Sequence, residues 1–302
     1  MSIRCRVNAA LGFDEDYEIR PAQKKKRILV VGGGPAGMEA ARVAAIRGHE
    51  VILFEKEKRM GGLLRWVALI KGLDVDSDAM ILSDYLHNQI NRLGVEIRLG
   101  QEFHPSAIRE IHPDVVILAP GGVPTAPEIP GIARDNVVSI EDLHRRVKDD
   151  LDLIEPGIMR WMNPYWESIG KRVVIIGGTI EGVGLAEFLV ERCRKVTLVD
   201  ENAIWGDTPL LRSPSLEKVA RMAEVRYEQI TDKGLVVTTR EEKTVLIEAD
   251  TIITASSPRL NTELLRAVEG KAPEIYLIGS EDPEPGCIMN AIGNGYRIAR
   301  AI

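Results

Sequence analysis

Apolar residues in this chain gather in short, β-branched runs that end in glycine, and each run is followed by a stretch in which apolar positions recur every three or four residues. Ile28 to Val31 is one such run and Val173 to Ile176 is another. A run apolar at every position predicts a parallel strand covered on both faces, because a strand with one wet face would alternate with polar residues. The glycines that follow permit a tight turn. Residues 36 to 47 then carry helical periodicity, and a second apolar run ends in an acid. Each set predicts a strand, a helix and a strand.

The two sets are copies of one design. KRILVVGGGPAGMEAARVAAIRGHEVILFEKEKRMGG, from Lys26, superposes on KRVVIIGGTIEGVGLAEFLVERCRKVTLVDENAIWGD, from Lys171, at a constant offset of 145. Gly32 falls on Gly177, Gly37 on Gly182, Glu55 on Asp200 and Gly61 on Gly206. Two units are implied. DVVILAPGGVPTAPEIPG (Asp114 to Gly131) predicts a strand and then a Gly/Pro-rich crossing between domains. Residues 139 to 170 predict a charged helix and a Trp-bearing linker, and the C-terminal segment predicts two more strands and a closing helix. The expectation is an α/β chain with two Rossmann-like dinucleotide-binding domains, the second inserted in the first. The expected boundaries are an arm over 1–23, a first domain over 24–140 and 256–302, and a second over 141–255.

Bulk properties narrow the class further. The 302 residues exceed what one core usually supports, since single cores stop growing at about 250 to 300 residues. With 39 basic against 45 acidic side chains the net charge is −6, which gives no reason to expect nucleic acid. The three cysteines, Cys5, Cys193 and Cys287, are too scattered for a disulfide framework, and the absence of a CxxC pair argues against dithiol chemistry. The start MSIRCRVNAALG lacks a long apolar core, and no run reaches the roughly 18 apolar residues of a membrane span. A cytoplasmic protein is expected.

GGGPAG at 32–37 supplies the chemistry. Gly32 permits the turn, Gly34 lets a pyrophosphate approach the backbone, and Gly37 packs helix on strand, with Pro35 and Ala36 opening a helix whose N-terminus attracts the anion. Glu55 is placed to accept ribose hydroxyls. In the second unit Gly177, Gly178 and Gly182 keep the turn and the packing, and Glu181 lies in the corresponding first turn. Thr179 puts a β-branched side chain where a phosphate would approach, though its hydroxyl offers a hydrogen bond in compensation. Asp200, with Glu201 and Asn202 after it, disfavours a 2′-phosphate, so NADH is expected over NADPH if a nucleotide binds. A unit without nucleotide is the alternative. The five histidines show no ligand spacing, and no nucleophile stands out, so the catalytic residues stay unassigned. Trp161 and Trp166 fit either burial in the linker or a patch facing a partner.

These stretches, together with PEIPG at 127–131 and CRVNAALG around Cys5, resemble the C-terminal half of the trimethylamine dehydrogenase and 2,4-dienoyl-CoA reductase family of NADH:flavin oxidoreductases, over nearly all of residues 4–302. The resemblance implies the two-domain fold of the glutathione reductase class and an FAD whose ADP half meets Gly32, Gly34, Gly37, Glu55, Gly61 and Gly62, with Lys56 and Leu63 as further cofactor-binding candidates beside them. The flavin half would meet Ala119, Pro120 and Gly121, in place of an ATG-type loop, and Gly279 with Ser280, where the family has an acid. Ala255, Ser256 and Ser257 replace a second such loop. Part of the family holds ADP at this place as a structural ligand. Cys5 matches the fourth thiolate of a four-iron four-sulfur cluster whose other ligands come from a TIM-barrel flavin domain. Either a partner barrel supplies those ligands or Cys5 is a leftover. The resemblance thus implies a flavoprotein subunit relaying electrons between NADH and a flavin and iron-sulfur partner. The alternative is a non-catalytic, ADP-binding subunit of a barrel dehydrogenase, and a free-standing NADH oxidase is a third reading without recognisable acceptor residues.

Overall fold

A computed structural model describes residues 5–12, 17–71, 73–123, 125–162, 166–204, 214–279 and 287–302, with side chains described except at 73–78 and 260. The chain divides into two compact units, Met1–Arg65 with Asp78–Val123 and Arg259–Ile302, and Trp66–Ser77 with Pro124–Pro258.

In the first unit β1 (Arg27–Val31) leads through α1 (Pro35–Ile46) to β2 (Glu50–Glu55). α2 (Leu64–Lys71), which falls in the second unit from Trp66 on, and α3 (Leu73–Arg92), which returns to the first unit from Asp78, precede β3 (Glu96–Leu99), α4 (Ala107–Ile111) precedes β4 (Val115–Leu118), and β5 (Gly122–Val123) follows. Ile28, Leu29 and Val30 are fully buried, as an unbroken apolar run demands, and each such side chain contributes about 1.5 to 3 kcal/mol on leaving water. Val30 pairs with Leu53 on one side and Ile117 on the other.

The second unit opens with β6 (Val137–Ser139), α5 (Ile140–Leu151), α6 (Pro156–Met159), β7 (Arg172–Ile176), α7 (Ile180–Glu191) and β8 (Lys195–Val199). β9 (Ala220–Met222), β10 (Arg226–Thr231), β11 (Gly234–Thr238), β12 (Thr244–Glu248) and β13 (Thr251–Thr254) complete it. Its parallel sheet has the order β6-β13-β7-β8-β9, beside an antiparallel sheet of β10, β11 and β12. β6 pairs with β13 and lies in the second unit, so the chain divides after Val123, inside the Gly/Pro-rich segment Asp114–Gly131 and ahead of the boundary expected at residue 140. Trp66, Leu69 and Ile70 also belong to this unit, in a core with Phe188, Leu189 and Ile253.

The chain then returns through β14 (Arg259–Leu260), α8 (Glu263–Val268), β15 (Glu274–Leu277) and α9 (Ile288–Ala301). β14 pairs antiparallel with β5, and β15 completes a parallel sheet of order β15-β4-β1-β2-β3. Both units are α/β and Rossmann-like, the second inserted in the first. Helix α9 lies tightly on α1: a Cβ added at Gly295 would sit 2.3 Å from the Ala36 carbonyl oxygen.

Candidate functional site

The glycine loop after β1 is shaped by contacts that only glycine tolerates at two positions. Gly32 has φ +108°, and a Cβ there would lie 2.1 Å from the Ala119 carbonyl oxygen. A Cβ on Gly37 would lie 1.9 Å from the carbonyl oxygen of Gly32, so the first turn of α1 sits directly on the end of β1. Gly34 is different. A Cβ there meets nothing within 4 Å, so this glycine opens onto free space. Gly34 is the N-cap and offers no side chain, and Pro35 at the first helical position has no N–H. The amides of the first turn and the positive end of the helix therefore stand ready for an anion.

Glu55, 7% exposed at the end of β2, is fixed beside that mouth. One carboxylate oxygen accepts the Gly33 N–H at 2.6 Å and the other the Glu57 N–H at 2.8 Å. Each oxygen retains a lone-pair direction for a further donor. Gly61 donates its N–H to the Gly33 carbonyl at 2.8 Å, and a Cβ on Gly62 would lie 3.3 Å from the Gly34 Cα. The structure thus brings the second glycine pair onto the first loop. Lys56 and Leu63 are exposed nearby in sequence. Gly33 and Met60 were missed from sequence: the Met60 sulfur would lie 2.5 Å from a Cβ on Gly33.

The remaining candidates of this unit are placed less uniformly. Ala119 donates its N–H to the Val31 carbonyl at 2.7 Å and abuts Gly32, whereas Gly121 is exposed with φ +79°. Gly279 is buried, and its carbonyl accepts the side-chain amide of Asn294 at 2.6 Å. Ser280 lies outside the described residues. The glycines of the closing helix were the signal for the close approach at Gly295, and Asn294 carried none.

The second unit repeats the design and departs from it at Thr179. Gly177 has φ +122°, and a Cβ on Gly182 would lie 2.0 Å from the Gly177 carbonyl oxygen. Asp200 accepts the Gly178 N–H at 2.6 Å and the Asn202 N–H at 2.7 Å, matching Glu55 atom for atom. The sequence offers the Thr179 hydroxyl as a donor to a phosphate, in compensation for the side chain's bulk. Instead it donates to the Ala255 carbonyl at 3.0 Å and accepts the Gly182 N–H at 3.0 Å. Its single proton is committed inward, and its lone pair takes an amide whose counterpart on α1 has no side-chain cap. Glu181 is also engaged, 2.6 Å from His144 Nε2, and the His144 ring meets Trp66 edge-on at 4.6 Å. Burial, with the Asp200 carboxylate nearby, pushes the Tyr227 phenol well above its ordinary value.

Cys5 is half-buried, and its sulfur accepts the Val7 N–H at 3.4 Å. The Val7 and Asn8 amides pull its thiol below the ordinary cysteine value against partial burial, which favours the thiolate that a metal would need. Among the described residues no three His, Cys, Asp or Glu side chains gather as a metal site, and no helix is long and apolar enough to cross a membrane. This chain alone does not supply a four-thiolate set.

The chain is similar to proteins more than twice its length. It is 32% identical over 313 residues to the NADH oxidase of Thermoanaerobacter brockii, covering 99% of this chain and 44% of that protein. It is 31% identical over 313 residues to the cinnamate reductase of Clostridium sporogenes, covering 100% of this chain and 43% of that protein. The solved structure of 2-naphthoyl-CoA reductase with 2-naphthoyl-CoA superposes with a TM-score of 0.78 at 30% identity, over 99% of this chain and 43% of that one. The chain therefore spans less than half the length of these three relatives. The family profile described as pyridine nucleotide-disulphide oxidoreductase matches residues 26–275, most of the chain, and this protein belongs to that family.

Proposed function

We propose that this chain is the FAD- and NADH-handling part of a flavoprotein oxidoreductase of the trimethylamine dehydrogenase and 2,4-dienoyl-CoA reductase type, relaying electrons between NADH and a TIM-barrel partner that carries flavin and an iron-sulfur cluster. The observation that carries this reading is the mouth of α1, where Gly34 opens onto free space beside a carboxylate pinned by the Gly33 and Glu57 amides. In this reading the first-turn amides of α1 hold the diphosphate and Glu55 accepts the ribose hydroxyls, with Gly61 and Gly62 closing the near side. Gly121 and Gly279 are the candidates for the flavin end. The bound flavin supplies the hydride and electron chemistry, while the protein binds, orients and tunes it. In the second unit Gly177, Gly178, Gly182 and Asp200 hold NADH weakly, because Thr179 already satisfies the Gly182 amide. Cys5 is proposed as one thiolate of a cluster completed by the partner's ligands.

A second reading, favoured by the inward bond of Thr179, is an ADP-binding structural subunit without catalysis. Purified protein separates the two. A yellow chain whose colour bleaches on adding NADH supports the relay, and a colourless chain that releases ADP on denaturation supports the structural subunit. Release of no adenine compound from protein saturated with FAD or ADP overturns both.

A further inference from the structure

We propose that Tyr227 is the positioning residue through which the second unit discriminates between nicotinamide dinucleotides with and without a 2′-phosphate, by locking the backbone on both sides of Asp200. The inference rests on the reading of that unit as an NADH site and adds to it the residue that sets its selectivity.

The phenol meets both peptide groups that flank Asp200. Its hydroxyl donates to the Val199 carbonyl at 3.3 Å, which belongs to the peptide group ahead of Asp200. The Glu201 amide, which belongs to the group after it, bonds to the phenol oxygen. The other ends of these two groups are tied as well: the Asp200 N–H donates to the Met222 carbonyl at 3.1 Å, and the Asp200 carbonyl accepts the Val225 N–H at 3.2 Å. Both soft dihedrals of Asp200 are thereby fixed, since each peptide group is a rigid plane. The Val199 carbonyl also accepts the Gly177 N–H at 2.9 Å. One side chain thus braces the strand-end acid and the glycine loop together.

The strand is bent at the place where this side chain leaves it. Tyr227 on β10 faces Val237 of β11 and Gln229 faces Val236, so Glu228 is an extra residue between them. A bulge of this kind re-aims the side chains beside it. The Tyr227 ring packs against a core that includes Val199, Val225 and Val237, which holds the phenol in place.

Burial, then the Asp200 and Glu201 charges, keep the phenol well above its ordinary value, so at neutral pH its proton stays in the bond to Val199. A carboxylate rejects a 2′-phosphate only as far as it is unable to retreat, because repulsion between like charges falls as they separate. The Asp200 backbone is locked, and its oxygens are held by the Gly178 and Asn202 amides. A ribose with both hydroxyls free finds its acceptor already in position. A 2′-phosphate finds a negative charge that does not withdraw.

The test titrates the full chain with NADH and with NADPH, read by quenching of tryptophan fluorescence. The wild type is expected to prefer NADH. Tyr227→Phe keeps the ring and removes both phenol bonds; it should weaken NADH about three- to tenfold, the worth of one or two neutral hydrogen bonds, and leave NADPH unchanged or tighter. Val237→Ala, opposite Tyr227, loosens the same core without removing either bond and should leave the preference as it is. The Glu201 amide should resist hydrogen exchange in the wild type, and an unprotected amide there overturns the proposal whether or not the variant folds. An unchanged preference in Tyr227→Phe, or an equal loss of both nucleotides, overturns it as well. A wild type that binds NADH and NADPH alike overturns it while NADH binding stands. A wild type that binds neither removes the NADH reading of this unit, and the inference falls with it.

Discussion

The hydroxyl of Thr179 donates to the carbonyl of Ala255 at 3.0 Å, tying the first turn of α7 to the end of β13. The same oxygen caps the Gly182 amide. Replacing Thr179 by valine keeps the shape and removes both bonds. The expected loss is about 1 to 2 kcal/mol of stability, the range for deleting an N-cap, measured by urea unfolding. Thr179→Gly frees the Gly182 amide and should tighten NADH binding severalfold in a fluorescence titration.

Gly34 and Gly37 should respond oppositely to alanine. At Gly34 there is open space, so Gly34→Ala should fold with stability within about 1 kcal/mol of the parent while its methyl group obstructs the diphosphate, and retention of FAD or ADP through gel filtration should fall at least tenfold. At Gly37 the methyl carbon meets the Gly32 carbonyl at 1.9 Å. That variant should be insoluble or unfolded.

Glu39 is 1% exposed on α1 and is held by Arg42 through contacts of 2.7 and 2.8 Å. Burial raises the Glu39 carboxyl above its ordinary value, opposed by the Arg42 bond. Arg42→Ala leaves a buried carboxylate without a partner and should cost about 3 to 5 kcal/mol, whereas replacing both residues by apolar ones of similar volume should restore most of that. Denaturant midpoints of the single and double variants read the difference.

His49 gives the fold an acid limit. Its Nδ1 accepts the Lys26 N–H at 3.1 Å and its ring is buried. Burial, then the Arg47 and Lys26 charges, lower its pKa from 6.5. The unfolded chain therefore takes up the proton first, so this contribution to stability is complete above about pH 6.5 and is lost as pH falls toward the lower folded value. His49→Asn should flatten the fall in unfolding midpoint between pH 7 and pH 5. An unchanged slope would locate the acid sensitivity elsewhere.

The glycine loops illustrate how far the sequence reaches. Matching positions of the repeat carry the same backbone geometry: Gly32 and Gly177 have φ +108° and +122°, and Cys193, which replaces Gly48, keeps the left-handed conformation at φ +58°. Such conformations are demanded locally by strand-to-helix and helix-to-strand turns, so residue type and spacing reveal them. Glu55 and Asp200 were legible for the same reason, as acids ending a strand at a fixed distance from the loop.

Hydrogen-bond partners far apart in sequence were not legible. Which way Thr179 turns depends on the Ala255 carbonyl, 76 residues away, and the bond of Glu181 depends on His144 in another helix. Trp161 and Trp166 have one residue type and opposite fates, because only Trp166 finds Phe188, at 4.6 Å, within a core. The sequence by itself determined two α/β units, their glycine turns and their strand-end acids, since these follow from steric rules acting over a few residues. The tertiary structure alone decided which amides stay open to an anion and which tryptophan meets water, since those outcomes depend on which distant groups are brought within bonding reach.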